Sequence, residues 1–198
     1  RNSYHASDGK PEGVASGMLT LPPAKATGDN ATVTESCLSI PSSAQGGEAL
    51  IRNLRLGLRK ARELGGGMNL GYVPDQFGHV GQLPQIFAGF GLEAAVLWRG
   101  VGADVEETAF LWEAPDETSL FTVYLRHGYG NAVVLPLDSE GLAKRLREAA
   151  SQLESHSRIP TLLLMNGADH QLPQAGLPAA LEEAIRSLPG WSAEIGTL

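Results

Sequence analysis

The chain has 198 residues, of which 42% are hydrophobic and 19% are charged, so it can bury a core and is not disordered throughout. Its 22 acidic and 15 basic residues give a formal net charge of −7, which argues against binding to nucleic acid or to an anionic membrane. The single cysteine, Cys37, cannot form an internal disulfide, and no apolar run approaches the ~18 residues of a transmembrane helix. The lone cysteine favours a reducing compartment, and we expect the cytoplasm.

The composition changes near residue 47. Residues 1–46 are rich in Ser, Thr, Gly, Pro and Ala, and Tyr4 is their only aromatic residue. Such a segment has little apolar surface to offset the entropy lost on ordering. We therefore predict a loop-like or disordered leader over residues 1–46 and a folded domain over residues 47–198. Because the chain does not begin with Met, we also expect it to be a piece of a longer protein.

The domain alternates predicted helices with predicted strands. Apolar residues at a spacing of three and four predict helices that begin near Gly47, Gly81, Ser139 and Leu177. Five strands are predicted, at Met68–Val73, Ala94–Trp98, Ala109–Trp112, Leu120–Leu125 and Thr161–Met165. This alternation is typical of a parallel α/β sheet, either open or closed into a barrel. In both cases, reactive side chains are expected at the carboxyl ends of the strands.

Polar residues follow four of the predicted strands at that end. In chain order they are Asp75, Arg99, Tyr129, Asp169 and His170. Each alone is compatible with an ordinary structural role, such as capping a turn or pairing with an opposite charge. Together they predict two carboxylates on one rim, the arrangement that glycosidases use to attack an anomeric carbon, or position water, and to protonate the leaving oxygen. The spacing leaves retention and inversion of configuration open.

Several motifs resemble glycoside hydrolase family 38, the α-mannosidases, and in particular its bacterial members, which include mannosylglycerate hydrolases. The stretch Gly71–His79 (GYVPDQFGH) resembles the nucleophile segment of that family. Other matching stretches follow the family's order and are Gly47–Leu54, Val96–Gly100, Phe110–Pro115 and Leu164–His170. The resemblance runs from about residue 47 to residue 190. It implies a partial (β/α)7-type barrel with parallel strands.

The resemblance also implies roles for individual residues. Asp75 matches the catalytic nucleophile, which is also a zinc ligand, and Asp169 matches the general acid/base. Arg99 matches an arginine that contacts the nucleophile, and Tyr129 matches a tyrosine near the acid. His170 joins Arg99 and Tyr129 as a candidate for substrate binding. The implied reaction is retaining hydrolysis of an α-mannoside, or of a mannosylglycerate-like sugar, through a covalent mannosyl-enzyme intermediate.

The sequence departs from the family in its metal ligands. The family's early His-x-His-x-Asp motif has no match at Tyr4–Asp8, and a further family histidine would fall beyond Leu198. Of the four Zn²⁺ ligands that the resemblance implies, only Asp75 is present, and one carboxylate cannot assemble a zinc shell. We therefore expect an incomplete catalytic segment that is inactive by itself.

Two other interpretations remain open. One is a catalytically silent fragment that binds carbohydrate or has a structural role. The other is a metal-dependent polysaccharide deacetylase-like barrel, whose Asp-Asp and His-x-x-x-His pairs do not occur among the five histidines and the acidic residues here.

Overall fold

The computed structural model describes residues 16–20 and 46–196 of the chain. In these ranges four α-helices are formed, namely α1 (Gly47–Glu63), α2 (Leu83–Gly89), α3 (Ser139–Leu153) and α4 (Leu177–Arg186). The strands of the same ranges are β1 (Ser16–Thr20), β2 (Leu70–Val73), β3 (Ala94–Leu97), β4 (Ala109–Glu113), β5 (Ser119–Tyr124), β6 (Thr161–Met165) and β7 (Ser192–Gly196). A 3₁₀ turn, Glu154–His156, follows α3. The result is a mixed α/β fold, as the alternation in the sequence predicts.

The strands form two sheets. The first has the order β2-β3-β5-β4, and the second has the order β6-β1-β7. All neighbours are parallel except β4 and β5, which are antiparallel. A parallel-rich sheet is therefore confirmed. Among the described residues, no ladder joins the two sheets into a closed barrel.

The prediction of parallel strands is wrong for β4. The connection from β4 to β5 is only residues 114–118, where the Ala114 N–H donates to the Thr118 carbonyl at 2.9 Å. A parallel crossover needs a dozen residues or more, whereas a short turn joins antiparallel strands. Glu117 adopts a φ of 69° inside this turn. The two strands therefore form a hairpin at the edge of the first sheet.

The prediction of five strands is also incomplete, because the structure adds β1 and β7. Strand β1 pairs in parallel with both β6 and β7, so it is the central strand of the second sheet. It lies within residues 1–46, for which the sequence predicts a loop-like leader. The rest of that leader, residues 1–15 and 21–45, lies outside the described residues, and its disorder stays a prediction.

The helices pack on the outer faces of the sheets. One buried cluster joins α1 and α2 to the first sheet, with Leu54, Phe87 and Leu97 among its members. Another joins α3 and α4 to β6, with Leu146 and Leu164 among its members. Successive residues of a strand point to opposite faces of the sheet. The residues next to Leu97 and Leu164 in their strands therefore point away from the helices. The side chains on that other face form a third cluster between the two sheets, which includes Tyr72, Val96, Leu125, Leu163 and Met165.

One glycine sets the distance between α2 and the first sheet. A Cβ at Gly71 would overlap the aromatic ring of Phe87, which is completely buried. Only glycine lets the helix approach the strand this closely. The close approach matters for the site because β2 leads directly into the segment that carries Asp75.

The outer edge of β6 is partly covered by the segment that follows β5. The Asn131 side chain accepts a hydrogen bond from the Met165 N–H at 2.7 Å and donates to the Leu163 carbonyl at 3.2 Å. The Ala132 N–H donates to the Met165 carbonyl at 3.0 Å. These bonds replace part of a neighbouring strand and connect the first sheet to the second.

No helix of the described part is both long and apolar enough to span a bilayer.

Candidate active site

Asp75 and Arg99 meet because the register of two strands aligns them. Val73 of β2 is paired with Leu97 of β3, and the two strands are parallel, so both end at the same level. Asp75 and Arg99 each lie two residues beyond that level. The Arg99 Nε donates to Asp75 Oδ1 in an ion pair, with 38% of the arginine side chain and 47% of the aspartate side chain exposed. The carboxylate is therefore oriented by a cation and still open to solvent.

Arg99 is fixed through its backbone as well as its side chain. Its N–H donates to the Pro74 carbonyl at 3.2 Å, and its carbonyl accepts from His79 Nε2 at 2.9 Å. The guanidinium lies 4.0 Å from the ring centroid of Trp98 and 4.9 Å from that of Phe77. Cations are attracted to the faces of aromatic rings at such distances. The segments that follow β2 and β3 therefore hold each other in place.

His79 lies partly buried behind this pair. Its ring packs edge-on against Trp112, with 5.3 Å between ring centroids, and a Cβ at Gly100 would come within 2.9 Å of it. Burial lowers the pKa of His79, and the hydrogen bond to the Arg99 carbonyl opposes this only in part. The Nε2 carries the proton donated to Arg99, and Nδ1 is buried without a hydrogen-bond partner. His79 is therefore a neutral imidazole that positions the Arg99 backbone.

Asp169 lies on the segment that follows β6, where its carboxylate contacts Tyr129. The Tyr129 hydroxyl donates to Asp169 Oδ2 at 3.2 Å, and Asp169 is exposed. The Tyr129 ring packs edge-on against Trp98, with 5.3 Å between centroids. Trp98 therefore contacts the partner of each carboxylate, Arg99 on one side and Tyr129 on the other. A continuous series of contacts joins Asp75 to Asp169 across the two sheets.

The structure brings four of the five residues predicted from the sequence into this series and leaves one outside it. His170 is exposed, and among the described residues its side chain has no hydrogen bond or ion pair. Its backbone has a φ of 61°, the left-handed region that few residues other than glycine adopt. Its role in substrate binding stays a prediction.

Two residues of the site were missed as functional candidates in the sequence. Trp98 bridges the two halves, and Phe77 is 71% exposed beside the guanidinium. Both lie within the stretches that resemble the family. The signal that could have identified Phe77 is its position two residues after Asp75, in the segment that follows β2.

The described residues do not fit a zinc centre by themselves. Among residues 46–196, no group of three or more His, Cys, Asp or Glu side chains converges on one point. Asp75 Oδ1 contacts the guanidinium of Arg99, so Oδ2 is the carboxylate oxygen left for another partner. Zinc stays an expectation that comes from the resemblance.

Two carboxylates on a strand-end rim, each with a fixed polar partner, are typical of glycosidases. Comparison with known proteins identifies the glycosidase family. The family model described as Glycosyl hydrolases family 38 N-terminal domain matches residues 42–191. The chain belongs to glycoside hydrolase family 38.

Two relatives agree with this assignment. A curated protein of Halalkalibacterium halodurans, named "Putative mannosylglycerate hydrolase", is 34% identical over 159 residues, which cover 72% of this chain and 17% of that protein. The crystal structure of an α-mannosidase from Enterococcus faecalis V583 matches with a TM-score of 0.70 at 29% identity, covering 80% of this chain and 18% of that one. The chain therefore spans about one sixth of the length of these relatives.

Proposed function

We propose that this chain carries the nucleophile and the general acid/base of a retaining α-mannoside hydrolase. The observation that carries the proposal is the series of contacts Asp75–Arg99–Trp98–Tyr129–Asp169. It gives both carboxylates fixed partners on one rim, although they come from different sheets. Membership of family 38 supports mannosides as the substrate class.

Asp75 is proposed as the nucleophile. Arg99 holds Oδ1, which leaves Oδ2 as the oxygen that attacks the anomeric carbon. Attack forms a carbon–oxygen bond to Asp75 while the bond to the leaving oxygen breaks, and water later hydrolyses the resulting ester. A carboxylate with one oxygen held by a cation is oriented before the substrate arrives, which lowers the entropic cost of attack.

Asp169 is proposed as the general acid/base. Tyr129 donates to Oδ2, which leaves Oδ1 to carry the proton that passes to the leaving oxygen. In the second step the same oxygen takes a proton from the attacking water. The hydroxyl of Tyr129 thus separates the two oxygens of Asp169 into one that is held and one that exchanges protons.

The sugar is proposed to be a small mannoside of the mannosylglycerate type. The name of the Halalkalibacterium halodurans relative supports this substrate class. The exposed ring of Phe77, close to Arg99, offers an apolar surface against which the C–H face of a sugar can stack. We further propose that hydrolysis takes place in a chain of the relatives' full length.

The test is a graft into an active host. Residues 42–191 replace the matching segment of the Enterococcus faecalis α-mannosidase, and hydrolysis of an aryl α-mannoside is measured. We expect turnover with retained configuration, observed by NMR of the first-formed anomer. In the graft, Asp75→Ala removes the nucleophile and lowers turnover by several orders of magnitude. Asp169→Ala lowers glycosylation far more for poor leaving groups than for good ones, because only the former need protonation.

The matched control is Asp116→Ala, an exposed aspartate in the β4–β5 turn, which leaves turnover unchanged. Turnover that survives Asp75→Ala would contradict the proposal. A folded graft that binds mannose without hydrolysing mannosides would favour the alternative of a silent carbohydrate-binding segment, for which the exposed Phe77 ring is the supporting observation.

A further inference from the structure

The segment that carries Asp169 is held at both ends by side-chain amides. Asn166 follows β6 directly and Gln174 lies at the start of the turn into α4, so Asp169 lies between them. Asn166 Nδ2 donates to the Ala132 carbonyl at 2.7 Å and to Gln174 Oε1 at 3.1 Å. The two ends of the segment are therefore bonded to each other.

Gln174 binds the opposite segment with a pair of hydrogen bonds. Its Oε1 accepts from the Leu135 N–H at 2.9 Å, and its Nε2 donates to the Leu135 carbonyl at 2.8 Å. Both lone pairs of Oε1 are thus used, one by Leu135 and one by Asn166. The Gln174 amide therefore bonds both backbone groups of Leu135, as a neighbouring strand would, although Leu135 belongs to no strand.

The opposite segment is the one that carries Tyr129. From Tyr129 it continues to Asn131 and Ala132, which bind the edge of β6, and then to Leu135. The Tyr129 hydroxyl and the Asp169 carboxylate, which meet at 3.2 Å, are therefore carried by two segments that the amides hold together.

Burial makes these bonds costly to lose. Asn166 is only 7% exposed, and a buried amide that loses its hydrogen-bond partners cannot replace them with water. The turn at Asp169 is closed by a hydrogen bond from the Gln171 N–H to the Ala168 carbonyl at 3.3 Å, with His170 at positive φ. The tip of this turn is exposed at Asp169, His170 and Gln171, whereas the amide bonds of Asn166 and Gln174 lie at its two ends.

We propose that Gln174, with Asn166, is a positioning residue that holds the Asp169 carboxylate against the Tyr129 hydroxyl. The proposal rests on the proposed role of Asp169 as the acid/base. Gln174 itself does not touch the sugar. It acts by fixing the distance between the two segments, and so decides which oxygen of Asp169 is held and which is left to exchange protons.

The test follows Tyr129 by NMR in the 198-residue chain and needs no turnover. The chain has four tyrosines, and Tyr129→Phe assigns the ring Cζ signal of Tyr129. In the wild type this signal moves as Asp169 titrates, and Asp169→Asn abolishes the movement. We expect Gln174→Met, which keeps the shape of the side chain but makes no amide bonds, to abolish most of the same movement. Exchange of the Leu135 amide hydrogen should accelerate by about tenfold.

The matched control is Gln171→Met in the same turn, whose side chain has no hydrogen bond among the described residues, and which leaves both measurements unchanged. If Gln174→Met does not fold, Gln174→Glu is measured instead. Glutamate keeps the oxygen that accepts from the Leu135 N–H, so the movement of the Tyr129 signal should be reduced only in part. Faster exchange at Leu135 with an undiminished Tyr129 signal would show a purely structural role and overturn the proposal. An inactive graft with a lost Tyr129 signal would instead refute the proposed function alone.

Discussion

His79 is the residue whose protonation has the clearest consequence for stability. Its Nε2–H is used by the Arg99 carbonyl, so an added proton would have to sit on Nδ1, which is buried and has no partner. Burial accordingly lowers its pKa. The unfolded chain accepts that proton near the ordinary histidine value of about 6.5, whereas the folded chain resists it.

We predict that the free energy of unfolding falls as the pH drops below about 6.5, because the unfolded state then binds more protons than the folded state. For this single group the slope cannot exceed about 1.4 kcal/mol per pH unit. Urea unfolding at about pH 7.5 and about pH 5.5 measures the difference.

His79→Gln is the control for that measurement, because glutamine can donate to the Arg99 carbonyl but does not titrate. The pH-dependent loss of stability should be smaller in this variant than in the wild type. An equal loss in both proteins would assign the effect to the other histidines and to the carboxylates.

The pairing of Asp75 with Arg99 could be predicted in part from the sequence, since both residues directly follow strands. Counting two residues from the end of each strand places them side by side once the strands are known to be parallel neighbours. The bridging position of Trp98 could not be predicted in this way. It depends on Tyr129, which comes from a different part of the chain, and sequence spacing does not report such contacts.

At the scale of elements, α3 has the best-defined start. The Asp138 side chain accepts a hydrogen bond from the Gly141 N–H at 2.7 Å, which satisfies one of the free amide groups of the first turn. The helix begins at Ser139, where the sequence predicts a helix to begin. The helix packs against the strand that leads to Asp169, so its stability supports the site.

We predict that Asp138→Ala destabilises the chain by about 1 kcal/mol and lowers its melting temperature by about 2–4 °C, because that amide group loses its partner. Asp138→Asn should recover most of the loss, since asparagine caps helices equally well. Ser139→Ala, one residue further on, provides the matched control. Thermal unfolding followed by circular dichroism gives all three values, and equal losses at Asp138 and Ser139 would show that the cap contributes nothing.

The elements that the sequence failed to predict share a physical cause. Strand β7 has the sequence SAEIG, in which only Ile195 is a strong strand former, and β1 lies in a stretch of small and polar composition. Both depend on pairing with distant residues, since β1 lies between β6 and β7. By contrast, β6 is apolar throughout and is recognisable from its composition. Strands supported by long-range pairing leave little local signal.

At the scale of the whole molecule, the two proposed catalytic carboxylates come from different sheets. Asp75 follows β2 of the first sheet and Asp169 follows β6 of the second. The side chains between the sheets and the bonds of Asn131 to β6 join these two parts. The spacing of the carboxylates is therefore a property of the packing between sheets, and any change that loosens this packing should affect both steps of the proposed reaction.

The resemblance to family 38 implies four zinc ligands, of which it places only Asp75 in this sequence, and the described residues contain no group of three or more ligand side chains. Metal affinity falls steeply when three or four ligands are not held together. We expect the purified 198-residue chain, dialysed after exposure to zinc, to retain far less than one zinc ion per chain and to leave an aryl α-mannoside intact.

Metal content by mass spectrometry and release of the aryl group are the two measurements. The Enterococcus faecalis α-mannosidase, handled in parallel, controls for the release of the aryl group. One tightly held zinc ion per chain together with turnover would contradict the prediction and would direct the search for further ligands to residues 1–15 and 21–45.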